Sequence, residues 1–344
     1  MELVSPGVAH VRLGTDSPNV AYELARAGVK YIHLDRSIKS VTRNSAFIHE
    51  GVEDKSIRSW LVEMARNGYF VYLSDDRHAR FCHQDRLRHI WQAHTKGDLS
   101  ISDEGVFYNL ERGDEHVGPE HVVVIFSAIG NEMFTSSLNR YFVRNYRHLG
   151  SAIPRKDWVV RIPDVGGVLG SFYLPTTHDP QNADRIHSLL TEIINRANVA
   201  PRNMILVGSS KGATGATYHA HQLGASLVSV DPILSDRYYV EEQKDCHFTE
   251  GGVFLESKES VFARLRRQPV DSSSRRFAVT SEHSPQFTKV REFFDSTGTP
   301  ILTCNSPDIR DHPDVAKVTH RVVMSLVTAM TCGLPLPAQS TTIN

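Results

Sequence analysis

From residue 121 onwards, apolar runs alternate with amphipathic helix patterns, and this alternation restricts the fold more than any other feature of the chain. The segment 121–129 (HVVVIFSAI) is apolar at odd and even positions alike, as a strand covered on both faces must be. Helical spacing follows at 182–198, and further strand patterns come at 203–210 and 225–233. Because strands separated by helices connect by right-handed crossovers, the pattern predicts a mostly parallel sheet with helices on both faces.

The first third of the chain has a different organisation. Residues 1–115 carry shorter strand and helix patterns, which predict a smaller N-terminal α+β domain. The polar segment 111–121 (ERGDEHVGPEH) contains Gly and Pro and indicates a boundary at about residue 115. The second domain then covers 116–335, with a polar, lid-like insertion near 235–270, and a flexible tail is expected at 336–344.

Composition excludes several classes of function. The 344 residues carry a formal net charge of −1, so no overall field attracts nucleic acid. The four cysteines lie far apart without CxxC spacing, and no metal site is expected. No apolar stretch approaches the roughly 20 residues that span a bilayer. The N-terminal residues lack the pattern of a signal peptide, and the prediction is a cytoplasmic protein without a membrane span.

The pentapeptide 208–212, Gly-Ser-Ser-Lys-Gly, matches G-x-S-x-G between a predicted strand and a predicted helix. A serine on such a tight turn has unfavourable backbone angles, so the residues two before and two after it must be small. The turn exposes the serine oxygen and directs the helix N-terminus at the reacting carbonyl. We therefore predict that Ser210 is a nucleophile and that the backbone N–H of Lys211 is one oxyanion donor.

Two other interpretations of the same residues stay open. The segment could be a Gly/Ser-rich turn that packs a helix closely against the sheet, or a cradle for a phosphate group. It lacks both the G-x-x-x-x-G-K-[ST] order and the G-x-G-x-x-G order of nucleotide-binding loops. The fold predicted from the motif and its surroundings is α/β, α/β-hydrolase-like, preceded by the smaller α+β domain.

An activated serine needs a base and a group that orients the base. In hydrolase-like sheets the chain order is serine, acid, histidine, with the last two on loops after later strands. Glu282 follows one such strand pattern, and His312 lies in the last loop before the closing helix. The predicted triad is Ser210, Glu282 and His312. Asp231 is the alternative acid, and His283 is a second choice for the base.

A second oxyanion donor is expected from the loop after the first long apolar run. The backbone N–H of Ala128 or Ile129 would serve there. Further candidates for substrate contact are Ser209, Arg140 and Tyr141. Arg140 and Tyr141 could instead cap a helix.

The segment 206–251 (LVGSSKGATGATYHAHQLGASLVSVDPILSDRYYVEEQKDCHFTEG) resembles the XcbB/CpsF-type capsular polysaccharide biosynthesis proteins, which carry a GSSKG elbow. The similarity extends to VVVIFSAI and to DWVVRIPDVGGVLGSFYLPT. A more distant likeness is to the accessory Sec acetyltransferase, an α/β-hydrolase relative that modifies serine-rich adhesins. The resemblance implies Ser210, Glu282 and His312 as the triad, and acyl transfer, with acetyl expected, to a sugar hydroxyl. Ala213 stands where another glycine is expected.

Three functions follow from these features. The first is an O-acyltransferase, the second a hydrolase with the same triad, and the third a catalytically silent subunit of glycan biosynthesis. No tightly bound cofactor is expected, although acetyl-CoA could serve as the acyl donor. The expected partners are a small-molecule or glycan substrate and, if the chain self-associates, a second copy of the chain. The N-terminal domain could bind an acceptor, mediate dimerisation or brace the sheet.

Overall fold

Two β-sheets organise the residues described by this computed structural model, which are 2–5, 7–37, 47–114 and 116–343. The smaller sheet has five strands, namely β1 (Glu2–Ser5), β2 (Val8–Arg12), β3 (Tyr31–Asp35), β4 (Tyr69–Ser74) and β5 (His78–His83). Their spatial order is β1-β2-β3-β5-β4, and only the β2–β3 pair is parallel. Buried and less buried residues alternate along β2 and β3, so one face of this sheet packs on a core.

Short helices accompany the small sheet, the first three packing on the core that contains Ile32 and Phe81 and the last two on the opposite side with Phe70 and Cys82. They are α1 (Val20–Arg26), α2 (Phe47–Glu53), α3 (Lys55–Arg66), α4 (Leu87–Ile90) and α5 (Gln92–Thr95). The longest, α3, begins after Asp54, whose carboxylate accepts hydrogen bonds from the backbone N–H groups of Ser56 and Ile57. Its buried face includes Trp60 and Met64, which join the core of the small sheet.

The larger sheet has nine strands among the described residues. They are β6 (Ser100–Ile101), β7 (Phe107–Glu111), β8 (Val122–Phe126), β9 (Trp158–Ile162), β10 (Met204–Ser209), β11 (Ser226–Val230), β12 (Arg276–Thr280), β13 (Ile301–Cys304) and β14 (Thr341–Ile343). Their order is β6-β7-β9-β8-β10-β11-β12-β13-β14. All neighbours from β9 to β14 pair in parallel, and only the β6–β7 and β7–β9 pairs are antiparallel. The predicted mostly parallel sheet is confirmed.

Helices cover both faces of this sheet. They are α6 (Asn182–Ala197), α7 (Lys211–Leu223), α8 (Arg237–Glu241), α9 (Lys258–Leu265), α10 (Phe287–Ser296), α11 (His312–Val318) and α12 (His320–Cys332). Val124 and Leu206 share a core with α6 and α7, whereas Val123 and Val207 on the other face share one with α12. Across the described ranges, no helix combines the length and apolar character needed to cross a membrane.

Two segments differ from their predicted place. The sequence assigns the strand at 107–111 to the N-terminal domain, but β7 pairs with β9 in the large sheet, with Leu110 opposite Val160. The tail predicted as flexible contains β14, which pairs with β13 and packs Ile343 against the core of the large sheet. In both cases the partner strand is distant in the sequence, so the local pattern does not show the pairing.

The insertion predicted near 235–270 contacts the N-terminal unit. Phe248 and Val253 are buried in the same core as the helices of the small sheet. Arg58 Nη1 on α3 lies 2.9 Å from the buried carboxylate of Asp245. Of the three roles left open for the N-terminal region, these contacts favour bracing of the insertion, and Phe107 of β7, which packs on Trp91, extends the contact to the large sheet.

A fully buried histidine makes the stability of this fold depend on pH. His219 on α7 stacks on Phe126, and burial lowers the pKa of His219 to about 3. The unfolded chain therefore binds a proton between pH 6.5 and about pH 3 that the folded chain does not, so stability falls as pH decreases through this window. Between pH 7 and pH 4.5 we expect this residue to account for a loss of roughly 2–3 kcal/mol.

Urea unfolding at both pH values checks this expectation. His219→Gln removes the titrating group, so its unfolding free energy should fall less between pH 7 and pH 4.5 than that of the unsubstituted protein. Equal losses in the two proteins would contradict the assignment.

Candidate active site

The predicted nucleophile lies on the turn between β10 and α7. Ser210 has φ 54° and ψ −121°, which is a strained conformation for a residue with a side chain. Its backbone N–H donates to the carbonyl of Val230 over 2.9 Å, which fixes the turn against β11. A Cβ on Gly208 would overlap the backbone of Gly212, and a Cβ on Gly212 would overlap the carbonyl of Phe126. The two glycines therefore allow the close strand–helix packing that holds Ser210 in this conformation.

This close packing predicts a large cost for one added methyl group. Gly212→Ala should lower the free energy of unfolding by at least about 3 kcal/mol, because the overlapped atoms are backbone and cannot move aside. Gly118→Ala is the control, since a Cβ there would have no atom within 4 Å, and its effect should stay within about 0.5 kcal/mol. Urea unfolding of the two variants checks the prediction, and similar stabilities would contradict it.

Three side chains form a continuous relay at the carboxyl ends of β10, β11 and β13. His312 Nε2 lies 2.8 Å from Ser210 Oγ, and His312 Nδ1 lies 2.6 Å from Asp231 Oδ2. Ser210 is half-buried, whereas His312 and Asp231 are buried. When Nδ1–H donates to Asp231, Nε2 is left to accept the proton of the serine hydroxyl. The structure thus brings Ser210 and His312 into direct contact.

The acid beside His312 is Asp231, which corrects the expectation for Glu282. Glu282 is exposed on the turn after β12, and the carboxylate in contact with His312 belongs to the residue that follows β11. The reason is the strand order, because β11 is adjacent to β10 whereas β12 is one strand further away, and each step adds about 4.8 Å. His283, the second choice for the base, is also exposed.

The carboxylate of Asp231 is held by hydroxyl groups from the loop where the acid was expected. Thr280 Oγ1 donates to Oδ1 and Ser284 Oγ donates to Oδ2, each over 2.6 Å. Asp231 itself has φ 46°, and its backbone N–H donates to the backbone carbonyl of Val279 over 2.8 Å. These contacts orient the carboxylate toward His312. Neither hydroxyl was predicted, since a Thr or Ser at a strand end gives no sequence signal of its own.

The two predicted oxyanion donors from the loop after β8 differ in their surroundings. The N–H of Ala128 donates to Asn145 Oδ1 over 2.9 Å, so Ala128 is not available and this part of the prediction is corrected. Ile129 lines the cavity next to Ser210. Lys211 is the first residue of α7, where helix geometry leaves the backbone N–H without an intrahelical acceptor. Lys211 and Ile129 are therefore the candidate donors.

The side chain of Lys211 points away from this cavity and fixes a neighbouring loop. It is fully buried, donates to the carbonyl of Leu169 over 2.8 Å, and lies 3.3 Å from Asp164. Burial lowers the pKa of Lys211, and the carboxylate of Asp164 opposes that shift. Asp164 also accepts from the backbone N–H groups of Ser171 and Phe172. The lysine of the pentapeptide therefore has a structural role.

The three predicted substrate contacts do not all face the cavity. Ser209 lines it, but the side chain is buried and its Oγ lies 2.6 Å from the hydroxyl of Tyr146. Arg140 donates to the carbonyls of Val168 and Val71 over 2.9 and 2.8 Å, and joins the small sheet to the large unit. Tyr141 is fully buried beside Arg140, and burial raises the pKa of Tyr141 to about 12. The substrate-binding expectation for Arg140 and Tyr141 is corrected, because their polar atoms bond to protein groups.

Ser210 opens into a cavity of about 630 Å³. One wall is the loop after β8 and another is the first part of α11. The insertion contributes Tyr238, Tyr239, Gln243, Cys246 and His247 to the cavity lining. Among the described residues, no group of three or more His, Cys, Asp or Glu side chains is placed to hold a metal ion.

No family model and no curated protein matches the chain. A chain of the Glycosylation Associate Protein (Gap123) complex from Streptococcus agalactiae is 17% identical over 73% of this chain, with a TM-score of 0.48, and only 48% of that chain is covered. The capsule O-acetyltransferase of Neisseria meningitidis serogroup A is 13% identical, covering 67% of this chain and 93% of that one, with a TM-score of 0.47. FphF, a fluorophosphonate-binding serine hydrolase of Staphylococcus aureus, is 12% identical, covering 68% and 96%, with a TM-score of 0.47.

These identities and scores are low, so the fold class rests on the molecule itself. A mostly parallel sheet covered on both faces, with a serine on a strained strand-to-helix turn, defines an α/β-hydrolase-like protein. A small N-terminal sheet precedes it. Since no family model matches, the resemblance to the XcbB/CpsF-type proteins stays a prediction.

Proposed function

We propose that the protein is a serine-dependent acyl-transfer enzyme that passes an acyl group from Ser210 to a hydroxyl acceptor. The observation that carries this proposal is the relay from Ser210 through His312 to Asp231, with contacts of 2.8 and 2.6 Å at the base of a cavity. A merely structural Gly/Ser turn does not account for an imidazole and a carboxylate from two other strands converging on the serine.

In the first half-reaction, Ser210 Oγ attacks the carbonyl carbon of the acyl donor while His312 Nε2 takes the hydroxyl proton. The carbonyl oxygen becomes an oxyanion, which the backbone N–H groups of Lys211 and Ile129 would stabilise together with the N-terminus of α7. His312 then returns the proton to the leaving group, and an acyl-Ser210 ester remains. Asp231 keeps the ring oriented and stabilises its protonated form.

In the second half-reaction, a hydroxyl compound replaces the leaving group. His312 removes the acceptor proton, the acceptor oxygen attacks the acyl carbon, and Ser210 recovers its proton as the new ester departs. Water in the same position gives hydrolysis instead. The insertion supports the choice of transfer, because its side chains line the cavity beside a half-buried Ser210, and a site from which water is displaced favours transfer over hydrolysis.

The acyl donor and acceptor classes are part of the proposal. A thioester such as acetyl-CoA is the proposed donor and would be a co-substrate rather than a resident cofactor. A carbohydrate is the proposed acceptor, in line with the sequence resemblance.

A fluorophosphonate probe and an aryl ester together test the proposal. We expect the probe to label Ser210, and 4-nitrophenyl acetate to give a burst of nitrophenol followed by transfer of acetyl to methyl α-D-glucopyranoside. Nitrophenol release with free acetate as the sole product would support the hydrolase alternative. No labelling and no burst would indicate the catalytically silent subunit.

A further inference from the structure

Two polar side chains of the insertion lie beside the relay without a hydrogen-bond partner. Tyr239 on α8 and His247 in the following turn both line the cavity that holds Ser210, and each is only 6% exposed. The hydroxyl of Tyr239 and Nδ1 of His247 are shielded from solvent and have no partner in the part of the chain that the structure describes. The remainder of each ring is well packed, since the two ring centres are 4.1 Å apart.

An unpartnered buried polar atom destabilises a folded chain, so two together at one cavity need an explanation. Packing alone does not supply it, because Phe would fill the place of Tyr239 without leaving a hydroxyl unsatisfied. The ring of Tyr239 also lies edge-on to the ring of His312, with centres 6.0 Å apart. Its hydroxyl is therefore carried on a side chain that contacts the relay itself.

The charge state of the pair restricts what it can bind. Burial raises the pKa of Tyr239, so its phenol stays protonated. Burial lowers the pKa of His247, and the nearby cations Lys258 and Lys211 lower it further, so the ring is neutral. A phenol and a neutral imidazole can each donate and accept one hydrogen bond. That combination matches a hydroxyl group, which does the same.

The rest of the cavity argues against an anionic ligand at this depth. Among the described residues that line it, the only Lys or Arg is Lys317. That side chain is 63% exposed, and Nζ lies 3.3 Å from the carboxylate of Asp314. The buried cations near His247 are already paired, Lys258 with Asp236 and Lys211 with Asp164. A phosphate or carboxylate near Ser210 would therefore find no unpaired lysine to compensate the loss of its hydration.

We propose that Tyr239 and His247 are specificity-determining residues that bind a hydroxyl of a neutral acceptor and position its reacting oxygen at acyl-Ser210. This inference rests on the proposed function and deepens it by naming the two residues that bind the acceptor and by restricting the acceptor to an uncharged compound.

The experiment measures how acetyl-Ser210 partitions between transfer to a glycoside and hydrolysis by water. Enzyme acetylated by 4-nitrophenyl acetate is given methyl α-D-glucopyranoside, and the ratio of acetylated glycoside to free acetate is measured by mass spectrometry. Tyr239→Phe should lower this ratio about 10-fold, the effect of one lost hydrogen bond. His247→Leu should lower the ratio similarly, and His247→Gln should restore part of it. The ratio does not depend on the amount of folded enzyme, so partial unfolding alone would leave it unchanged. Partial recovery in His247→Gln separates a lost hydrogen bond from a loosened insertion, which Gln would not repair.

Tyr218→Phe is the matched control, because Tyr218 is a half-buried tyrosine on α7 outside the cavity, and its ratio should equal that of the unsubstituted protein. The inference is overturned if the ratio is unchanged in both Tyr239→Phe and His247→Leu. It is also overturned if acyl-Ser210 forms but never acetylates the glycoside, or if glucose 6-phosphate is the better acceptor. Failure of the proposed function itself differs from all of these, since the Ser210-dependent burst would then be absent.

Discussion

Ser210→Ala is expected to lower the rate of acyl transfer from 4-nitrophenyl acetate by at least about 10⁴-fold and to abolish labelling by a fluorophosphonate. The substitution removes the atom that would form the ester, and His312 alone cannot replace it. The burst of nitrophenol in stopped-flow measurements and the mass of the labelled protein check this result.

Ser209→Ala provides the comparison within the same turn. Ser209 Oγ is bonded to the hydroxyl of Tyr146 rather than to His312, so fluorophosphonate labelling should persist in this variant. Labelling that survives Ser210→Ala would contradict the proposed nucleophile, provided circular dichroism shows that the variant is folded.

Asp231→Asn is expected to lower the same rate about 10³- to 10⁴-fold. The amide can donate to Nδ1 of His312, which favours the tautomer whose Nε2 carries the proton and cannot accept one from Ser210. The loss should appear in both nitrophenol release and the rate of fluorophosphonate labelling.

Glu282→Gln is the matched control for this prediction, because it makes the same change from carboxylate to amide at the exposed acid that the chain order first suggests. Its rate should stay within about 2-fold of the unsubstituted protein. A large loss in Glu282→Gln together with a small one in Asp231→Asn would show that the relay seen here is not the working one.

The contrast between Asp231 and Glu282 shows which parts of the site could be predicted from the sequence. The apolar run before Gly208 and the small residues after Ser210 predict the elbow, since both are local consequences of packing a helix on a buried strand. His312 is predicted by its place before the closing helix. The choice between Asp231 and Glu282 depends on which strand lies next to β10, and strand order is a property of the whole sheet.

The same limit explains the other corrections. Arg140 and Tyr141 were candidates because polar residues near a catalytic loop often face it, but their partners come from β4 and from the loop near Val168. The N–H of Ala128 is taken by Asn145, 17 residues further along the chain. Tyr239 and His247 lie in a polar insertion whose position is set by contacts with the small sheet. Each of these facts requires distant segments to be brought together first.

The contacts that hold the insertion have a consequence for how acceptor specificity could evolve. The insertion, which lines the cavity beside Ser210, contacts the helices of the small N-terminal unit through Phe248 and Asp245. Substitutions on those helices, such as at Arg58, can therefore reshape the entrance for acceptors while the nucleophile and its base stay as they are. Selection for a new acceptor would then have two independent places to act, and one of them lies outside the catalytic layer altogether.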